Sequence, residues 1–521
     1  MKGIKLYPLL LAAYPVLNLF AANLGQVWLE QLWSPLLAAA ALAAVFNLLL
    51  FLVIRDSGKA ALFAALFIVL FFSYRPWADF IRSLPFYLPA GLLYAGGGAA
   101  GVAAIIYLTR RPGADLGRAN RVLTVIALIL VIFPLARIIL FQARARLTPP
   151  AGRLSAAEQE GTSSGRTYLP NIFYIILDAY ARGDVLEKVY GYDNSEFLDY
   201  LEDRGFYVAE QSIANYGQSI LSLASSLNFQ YLDDLIDEIG PDSRDLQHLA
   251  KMINHNRVFR FLKQLDYTTV GFDAAGPYVP VWVRNLDRYY PFDEGRRLTV
   301  GLNNFQTALI NSTPLAWLFR QRFVKIFDCP YDIHRHKLLS AFETIEDLSR
   351  EPGPLFVYAH LLIPHQPFVF DEDGTHLTPD YDFNVWYWDR EFRREYKSGY
   401  LRQLTYLNQR IRKLIDRVIS NSIHPPVIIL QADHGPALYL DMRRPHRSYV
   451  PERMTILNAY YFPESGSEGL YPSISPVNTF RVLFNNYFGT DFELLKDRAF
   501  FSSWEYPYRV DDVTERIWEQ L

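Results

Sequence analysis

Two apolar runs end in residues suited to ligating a cation. Asn171-Ile-Phe-Tyr-Ile-Ile-Leu-Asp178 closes on a carboxylate, and Val427-Ile-Ile-Leu-Gln-Ala-Asp433-His434-Gly435 closes on a carboxylate beside an imidazole. Hard oxygen and imidazole donors converging from separate segments are what one divalent cation requires. A third stretch, Asn215-Tyr-Gly-Gln-Ser219-Ile-Leu-Ser222-Leu-Ala-Ser225-Ser226-Leu-Asn228, supplies hydroxyls. Gly217 breaks the chain just before it, so Ser219 is expected at a helix amino terminus, where free N–H groups and the helix dipole favour an anion. A serine hydroxyl beside a cation is a stronger nucleophile toward phosphorus than a free one. Ser222, one turn on, offers the same group and stays open as the alternative.

These residues need rigid elements to aim them. Runs 171–177, 354–359 and 427–432 read as buried strands, with a weaker one near 206–209. Segments 194–204, 219–227, 256–265, 337–350 and 396–420 read as helices. In the last, Leu401, Leu404, Leu407, Ile411, Leu414, Ile415 and Val418 fall at helical spacing. Alternation of this kind predicts an α/β domain with a mostly parallel sheet between helices. In such sheets ligands bind at the carboxyl ends of the strands, where Asp178 and Asp433-His434 fall.

The ordered set of Pro-Asn-(apolar)-Asp178, the serine turn and Ala432-Asp433-His434-Gly435 resembles the alkaline phosphatase/sulfatase superfamily. It is most similar to the membrane-anchored branch that includes lipoteichoic-acid synthases and lipid A phosphoethanolamine transferases. The resemblance covers roughly residues 1–465 and implies a sulfatase-like α/β fold. It also implies that Asp178, Ser219, Asp433 and His434 hold one cation, Mn²⁺ or Zn²⁺, with Ser219 as nucleophile. The segment His360-Leu-Leu-Ile-Pro-His365-Gln-Pro matches a His-x4-His stretch that serves the substrate phosphate or a second metal. By this likeness His365 is the preferred catalytic histidine and His360 a substrate contact. His446, within Arg443-Arg444-Pro445-His446-Arg447, is a further catalytic candidate, and Arg182 a phosphate clamp. Two features depart from the superfamily's patterns. No Cys/Ser-x-Pro-x-Arg string is present, which disfavours sulfate-ester hydrolysis, and the Asp-x3-His pair of two-metal members is missing from its expected place.

Charge divides the chain. Residues 1–150 hold thirteen Lys or Arg against four Asp or Glu, while the remainder holds 38 against 50 and all ten histidines. Five apolar runs, near 4–22, 33–54, 60–74, 86–108 and 122–141, predict a five-helix transmembrane domain over 1–145. A juxtamembrane linker is expected over 146–169. An extracytoplasmic catalytic domain follows over 170–521, with 466–521 as its C-terminal subregion. Lys2, Lys5, Arg55, Lys59, Arg110, Arg111, Arg118 and Arg121 mark the amino terminus and the second and fourth loops as cytoplasmic, so an odd number of spans places the rest outside. The spans lack the ionisable residues of a transporter, and the acidic second half argues against nucleic acid. Cys329, the sole cysteine, can form neither an internal disulfide nor a thiolate cluster. The expected activity is phosphotransfer or phosphohydrolysis in the cell membrane, through a phosphoserine intermediate. Phospholipid headgroups or cell-envelope phosphoesters would be the substrates, and membrane lipids the partners. A hydrolase using water as acceptor and a catalytically silent envelope-assembly protein are the rival expectations.

Overall fold

The structure is a computed structural model. It describes residues 5–521 apart from 25–26, 28, 76, 78–89, 111–115, 148–167, 273–282, 284, 291–303, 316–329, 379–392, 443 and 464–466. Most of the expected linker, Cys329 and Arg443 therefore lie outside the described residues. The chain forms two compact units: Met1–Pro149 with Thr299–Phe327, and Pro150–Leu298 with Asp328–Leu521.

The first unit contains α1 (Tyr7–Ala22), α2 (Trp33–Ile54), α3 (Ser57–Phe72), α4 (Ala90–Arg110) and α5 (Leu116–Leu147). The described parts of all five expected apolar segments are largely helical, but the expectation of five spans is corrected. Among the described residues two stretches, Leu29–Ile54 (26 residues) and Leu116–Ala143 (28 residues), are long and apolar enough to cross a membrane. Helices α1 and α3 have 16 residues each, about 24 Å at the α-helical rise and short of a hydrocarbon core of about 30 Å. The brevity of α3 has a local cause. Arg55 turns left-handed to end α2, and the Asp56 carboxylate caps the next helix by accepting from the N–H groups of Gly58 (2.9 Å) and Lys59 (3.0 Å). Inward faces are lined by Ala12, Ala39, Ala43, Ala60, Ala61 and Ala64, whereas Leu37, Val53, Phe133 and Ile139 point outward. Small residues between helices and large apolar ones outside are the pattern of helices packed in lipid.

This unit also takes in a piece of chain from the middle of the second half. A short helix, Asn304–Asn311, buries Phe305 and Leu309 in the cluster that holds Val16, Leu17 and Phe20 of α1. The Phe20 and Phe305 rings meet edge to face at 5.7 Å. Gln306 Nε2 donates to Ser34 Oγ at 2.9 Å, and Arg75 N–H donates to the Ser312 carbonyl at 3.2 Å.

The second unit is an α/β sandwich built on a mostly parallel sheet. Its strands are β1 (Ile172–Leu177), β2 (Tyr207–Val208), β3 (Thr268–Phe272), β4 (Arg288–Tyr290), β5 (Leu355–Leu361), β6 (Val427–Gln431) and β7 (Asn458–Tyr461), in the order β2-β7-β6-β1-β5-β3-β4. The pairs β6–β1, β1–β5, β5–β3 and β3–β4 are parallel; β6–β7 and β7–β2 are antiparallel. Every residue of β1, β5 and β6 is buried, because both faces of the sheet are covered. On one face Phe173, Ile175, Val357 and Ile428 pack against α7 (Pro330–Leu348) and α8 (Arg393–Asn421). On the other, Ile172, Tyr174, Phe356 and Ile429 pack against α6 (Ser219–Ser226) and, after α9 (Val450–Met454), α10 (Pro476–Phe488). Alternate residues of one strand thus feed opposite core layers. In α8 the expected row Leu404, Leu407, Ile411, Leu414, Ile415 and Val418 is buried, with Leu401 partly so.

Candidate active site

Three adjacent strands deliver the donors. Asp178 follows β1 directly, Asp433 and His434 follow β6, and His360 lies inside β5 opposite Ile176. The turn after β1 is held by its own backbone: Asp178 N–H donates to the Leu361 carbonyl (3.0 Å), and His365 N–H to the Asp178 carbonyl (3.0 Å). Ala179 takes a left-handed φ of 66°, a conformation costing a non-glycine residue roughly 1–2 kcal/mol. Its N–H reaches Asp433 Oδ1 at 3.4 Å, and its carbonyl accepts from the Tyr400 hydroxyl at 2.9 Å. Strain of this kind is characteristically retained at functional sites.

Ser219 is the first residue of α6, after an extended Gln218. Its Oγ lies 2.9 Å from His434 Nε2. Ser222 is turned elsewhere, donating its hydroxyl to the Asp433 carbonyl at 2.8 Å, so Ser219 is the hydroxyl facing the imidazole. His434 Nδ1 lies 3.0 Å from the Gly435 carbonyl. A carbonyl only accepts, so Nδ1 carries the proton and Nε2 presents its lone pair. Burial, reinforced by the nearby Arg453 charge, pulls the His434 pKa down to about 3, and the ring is neutral at any physiological pH.

Around that lone pair stand His360 Nε2, 3.2 Å from Asp178 Oδ2 and 3.9 Å from Asp433 Oδ2, and both carboxylates. Asp178 Oδ1 and Asp433 Oδ2 are 3.8 and 3.4 Å from His434 Nε2. Burial opposes ionisation of Asp178, yet His365 and then His360 hold its carboxyl below the usual range. Burial likewise opposes charge on His360, but the Asp178 hydrogen bond raises its pKa overall. Asp178 Oδ1 and Asp433 Oδ2 are buried and accept no hydrogen bond. An anionic oxygen left so is costly, by more than the ~1–3 kcal/mol of a neutral group, and a cation among the two relieves it. Donor atoms of Asp178, His360 and Asp433 lie within 4.8 Å of one another. The donor set therefore fits a divalent cation.

The structure thus brings together Asp178, Ser219, Asp433 and His434, and adds His360 to the carboxylates rather than setting it apart as a substrate contact. His365 is nearby and half-buried, its ring centroid 6.4 Å from that of His434; its Nδ1 is 2.5 Å from the Gln366 carbonyl, so the proton sits on Nδ1 and Nε2 is left for other work. Two candidates are not brought in. Arg182 spends its guanidinium on Asp184 (2.7 and 2.8 Å), the Ser212 carbonyl (3.2 Å) and the Trp518 ring. His446 sits on an exposed turn, Pro445–Arg447, and among the described residues no contact links its ring to the cluster. Sequence reasoning missed Arg453, whose buried guanidinium donates from Nε to the Gly217 carbonyl and from Nη1 to the Gly435 carbonyl, both at 2.8 Å. It also missed Gln403, which donates to the His365 carbonyl at 2.9 Å from within the apolar row of α8.

Fold and site define an α/β domain with hydroxyl, imidazole and carboxylates gathered at the carboxyl edge of a mostly parallel sheet. The chain belongs to the sulfatase family: the sequence model described as Sulfatase matches residues 170–480. A search of curated proteins finds no match. Among solved structures it is similar to the zinc complex of the C-terminal periplasmic domain of EptC from Escherichia coli, at 13% identity and TM-score 0.42, covering 67% of this chain and 94% of that one. It is similar to the integral membrane lipooligosaccharide phosphoethanolamine transferase EptA from Neisseria meningitidis, at 13% identity and TM-score 0.41, covering 93% and 96%. The lipoteichoic acid synthase LtaP from Listeria monocytogenes gives 14% identity and TM-score 0.36, covering 64% and 77%.

Proposed function

We propose that the chain is a multi-pass membrane enzyme whose catalytic unit lies outside the cytoplasm. It would transfer or hydrolyse phosphoesters of phospholipid headgroups or cell-envelope polymers. The observation that carries this reading is the Ser219 hydroxyl, 2.9 Å from the Nε2 of a neutral His434 and beside two buried carboxylate oxygens without a donor. Asp178, Asp433, His434 and Ser219 would hold one divalent cation, Zn²⁺ or Mn²⁺, with the His360 Nε2–H orienting the Asp178 carboxylate. Such a cation supplies charge that lowers the hydroxyl pKa and offsets the charge of the transferring phosphoryl group.

Ser219 Oγ attacks phosphorus, the bond from phosphorus to the leaving oxygen breaks, and a phosphoseryl ester forms. The Ser219 hydroxyl proton ends on the leaving oxygen; His365 Nε2, which carries no proton while Nδ1 donates to the Gln366 carbonyl, would take that proton up and pass it on. An acceptor hydroxyl, or water, then attacks the ester and returns both the free serine and its proton. His446 has no part in this reading because its ring is exposed. The missing Cys/Ser-x-Pro-x-Arg string keeps sulfate esters out of it; the extracytoplasmic placement needs an odd number of crossings, so at least one of the shorter apolar helices would have to span as well.

The test is Ser219→Ala in purified full-length protein, assayed with bis(p-nitrophenyl) phosphate and with phospholipid vesicles. Turnover is expected to vanish and the phosphoseryl peptide to disappear from the mass spectrum, while about one cation per chain is retained with weaker affinity. Undiminished turnover by this variant would overturn the assignment of Ser219.

A further inference from the structure

We propose that Arg453 is the positioning residue of this site, a single guanidinium that braces the nucleophile turn against the Asp433-His434 turn. The inference rests on Ser219 and His434 acting together as proposed above, and it starts from the two carbonyls that Arg453 holds. Gly217 lies two residues before Ser219, so the Nε bond fixes where α6 begins and where Ser219 Oγ is presented. Gly435 follows His434, and its carbonyl also lies 3.0 Å from His434 Nδ1. Arg453 Nη1 therefore holds the acceptor that sets the tautomer of His434, leaving Nε2 bare toward Ser219. One planar fork spans both ends of the Ser219–His434 pair. No single-point donor such as lysine can do this.

The surroundings are built for that bridge. Arg453 is 5% exposed, and its own carbonyl accepts from Gly435 N–H at 2.7 Å, closing a ring of backbone contacts. A Cβ on Gly435 would come within 2.0 Å of the Glu452 carbonyl, and one on Gly217 within 2.9 Å of Phe501 Cδ2. Gly435 is thus required by how closely α9 approaches, and Gly217 by the ring of Phe501. Glu452, the neighbour of Arg453, is fully buried; it accepts from the N–H groups of Leu438 (2.8 Å) and Tyr439 (2.7 Å) and from the Tyr190 hydroxyl. Helix α9 is thereby locked on one side while Arg453 reaches across on the other.

The experiment compares wild type, Arg453→Met, Arg453→Lys and Arg453→Ala in purified full-length protein, with Ser219→Ala as the inactive reference. Zn²⁺ affinity is measured by competition with a chromogenic chelator, independently of turnover, and kcat and KM are measured with bis(p-nitrophenyl) phosphate. Arg453→Met is expected to lower Zn²⁺ affinity and kcat by about 10–100-fold each, with KM little changed. Guanidinium ion added to Arg453→Ala is expected to restore kcat in part, and to do nothing for Ser219→Ala. Wild-type affinity and kcat in Arg453→Met would overturn the proposal. So would guanidinium failing to rescue a folded Arg453→Ala. If neither folds, Arg453→Lys decides: it keeps charge and length but not the fork, so wild-type affinity and kcat in it would also overturn the brace. A wild type that binds Zn²⁺ without any turnover would refute the proposed reaction, while the affinity series would still decide the role of Arg453.

Discussion

Asp178 Oδ1 and Asp433 Oδ2 face the same small region with no proton donor between them, and neither is exposed to water. Two anionic oxygens held this way destabilise the metal-free chain and attract a cation strongly, so one feature governs both stability and loading. Asp433→Asn separates the two consequences. Its amide keeps an oxygen for the N–H groups of His434 and Ala179, now met by Asp433 Oδ1 at 3.0 and 3.4 Å. Its Nδ2 stands where Oδ2 was and can donate toward Asp178. The metal-free variant is therefore expected to be more stable than metal-free wild type, by about 1–3 kcal/mol. Its melting temperature should no longer respond to a chelator. Wild type should respond: a cation at one hundred times its Kd stabilises by about 2.7 kcal/mol. Calorimetry of both proteins with and without chelator checks this, and a metal-free variant less stable than wild type would contradict it.

At the scale of elements, the site depends on three strands ending in register, and their starts are tied by one residue. Asn171 Oδ1 accepts from Leu355 N–H at 2.9 Å, its Nδ2 donates to the Glu351 carbonyl at 3.2 Å, and its carbonyl accepts from Val427 N–H at 2.8 Å. Asn171→Ala leaves the first two groups without partners and should cost about 1–3 kcal/mol, seen as a lower urea midpoint with unchanged metal stoichiometry. The strands it ties were readable from sequence because burial on both faces makes β1, β5 and β6 continuous apolar runs. β2 was readable only as a weak run near 206–209, and β3, β4 and β7 were not. Thr268 and Thr269 open β3, Arg288 opens β4, and Asn458 opens β7, where its side chain bonds Ser212 Oγ, the Ile474 carbonyl and Gln431 Nε2 at 3.0 Å each. Polar residues satisfied by partners far along the chain leave no periodicity to read. Asp178, Asp433 and His434 were legible because they close apolar runs, and Ser219 because it follows Gly217 in a serine-rich turn, whereas Arg453 was not, since its partners are backbone carbonyls 236 and 18 residues away. The tail was illegible for the same reason. Phe500 pairs with Asn215 and Gly217, and Gln218 donates to Ser502 Oγ and the Ser503 carbonyl, so residues near 500 brace the turn that carries Ser219.

For the whole molecule, the path of the chain matters more than any one contact. Residues Thr299–Phe327 belong to the unit of apolar helices although they lie between β4 and α7 in sequence, so the chain passes between the two units three times. A single tether near residue 150 would let a catalytic unit leave the membrane once cut. Three crossings would not, provided Phe305 and Leu309 stay buried against α1. Burying two such side chains is worth about 1.5–3 kcal/mol each, and a charge in their place loses that and adds the cost of an unpaired ion. A site-specific protease sequence introduced between residues 155 and 160 tests this in intact membranes. After cleavage, the fragment ending at Leu521 is expected to sediment with the membranes. The double variant Phe305→Asp, Leu309→Asp should release it into the supernatant, folded and with its cation. Release of the wild-type fragment on cleavage would show that the inserted helix does not hold it. Retention of the double variant would show that the holding contacts lie elsewhere than Phe305 and Leu309.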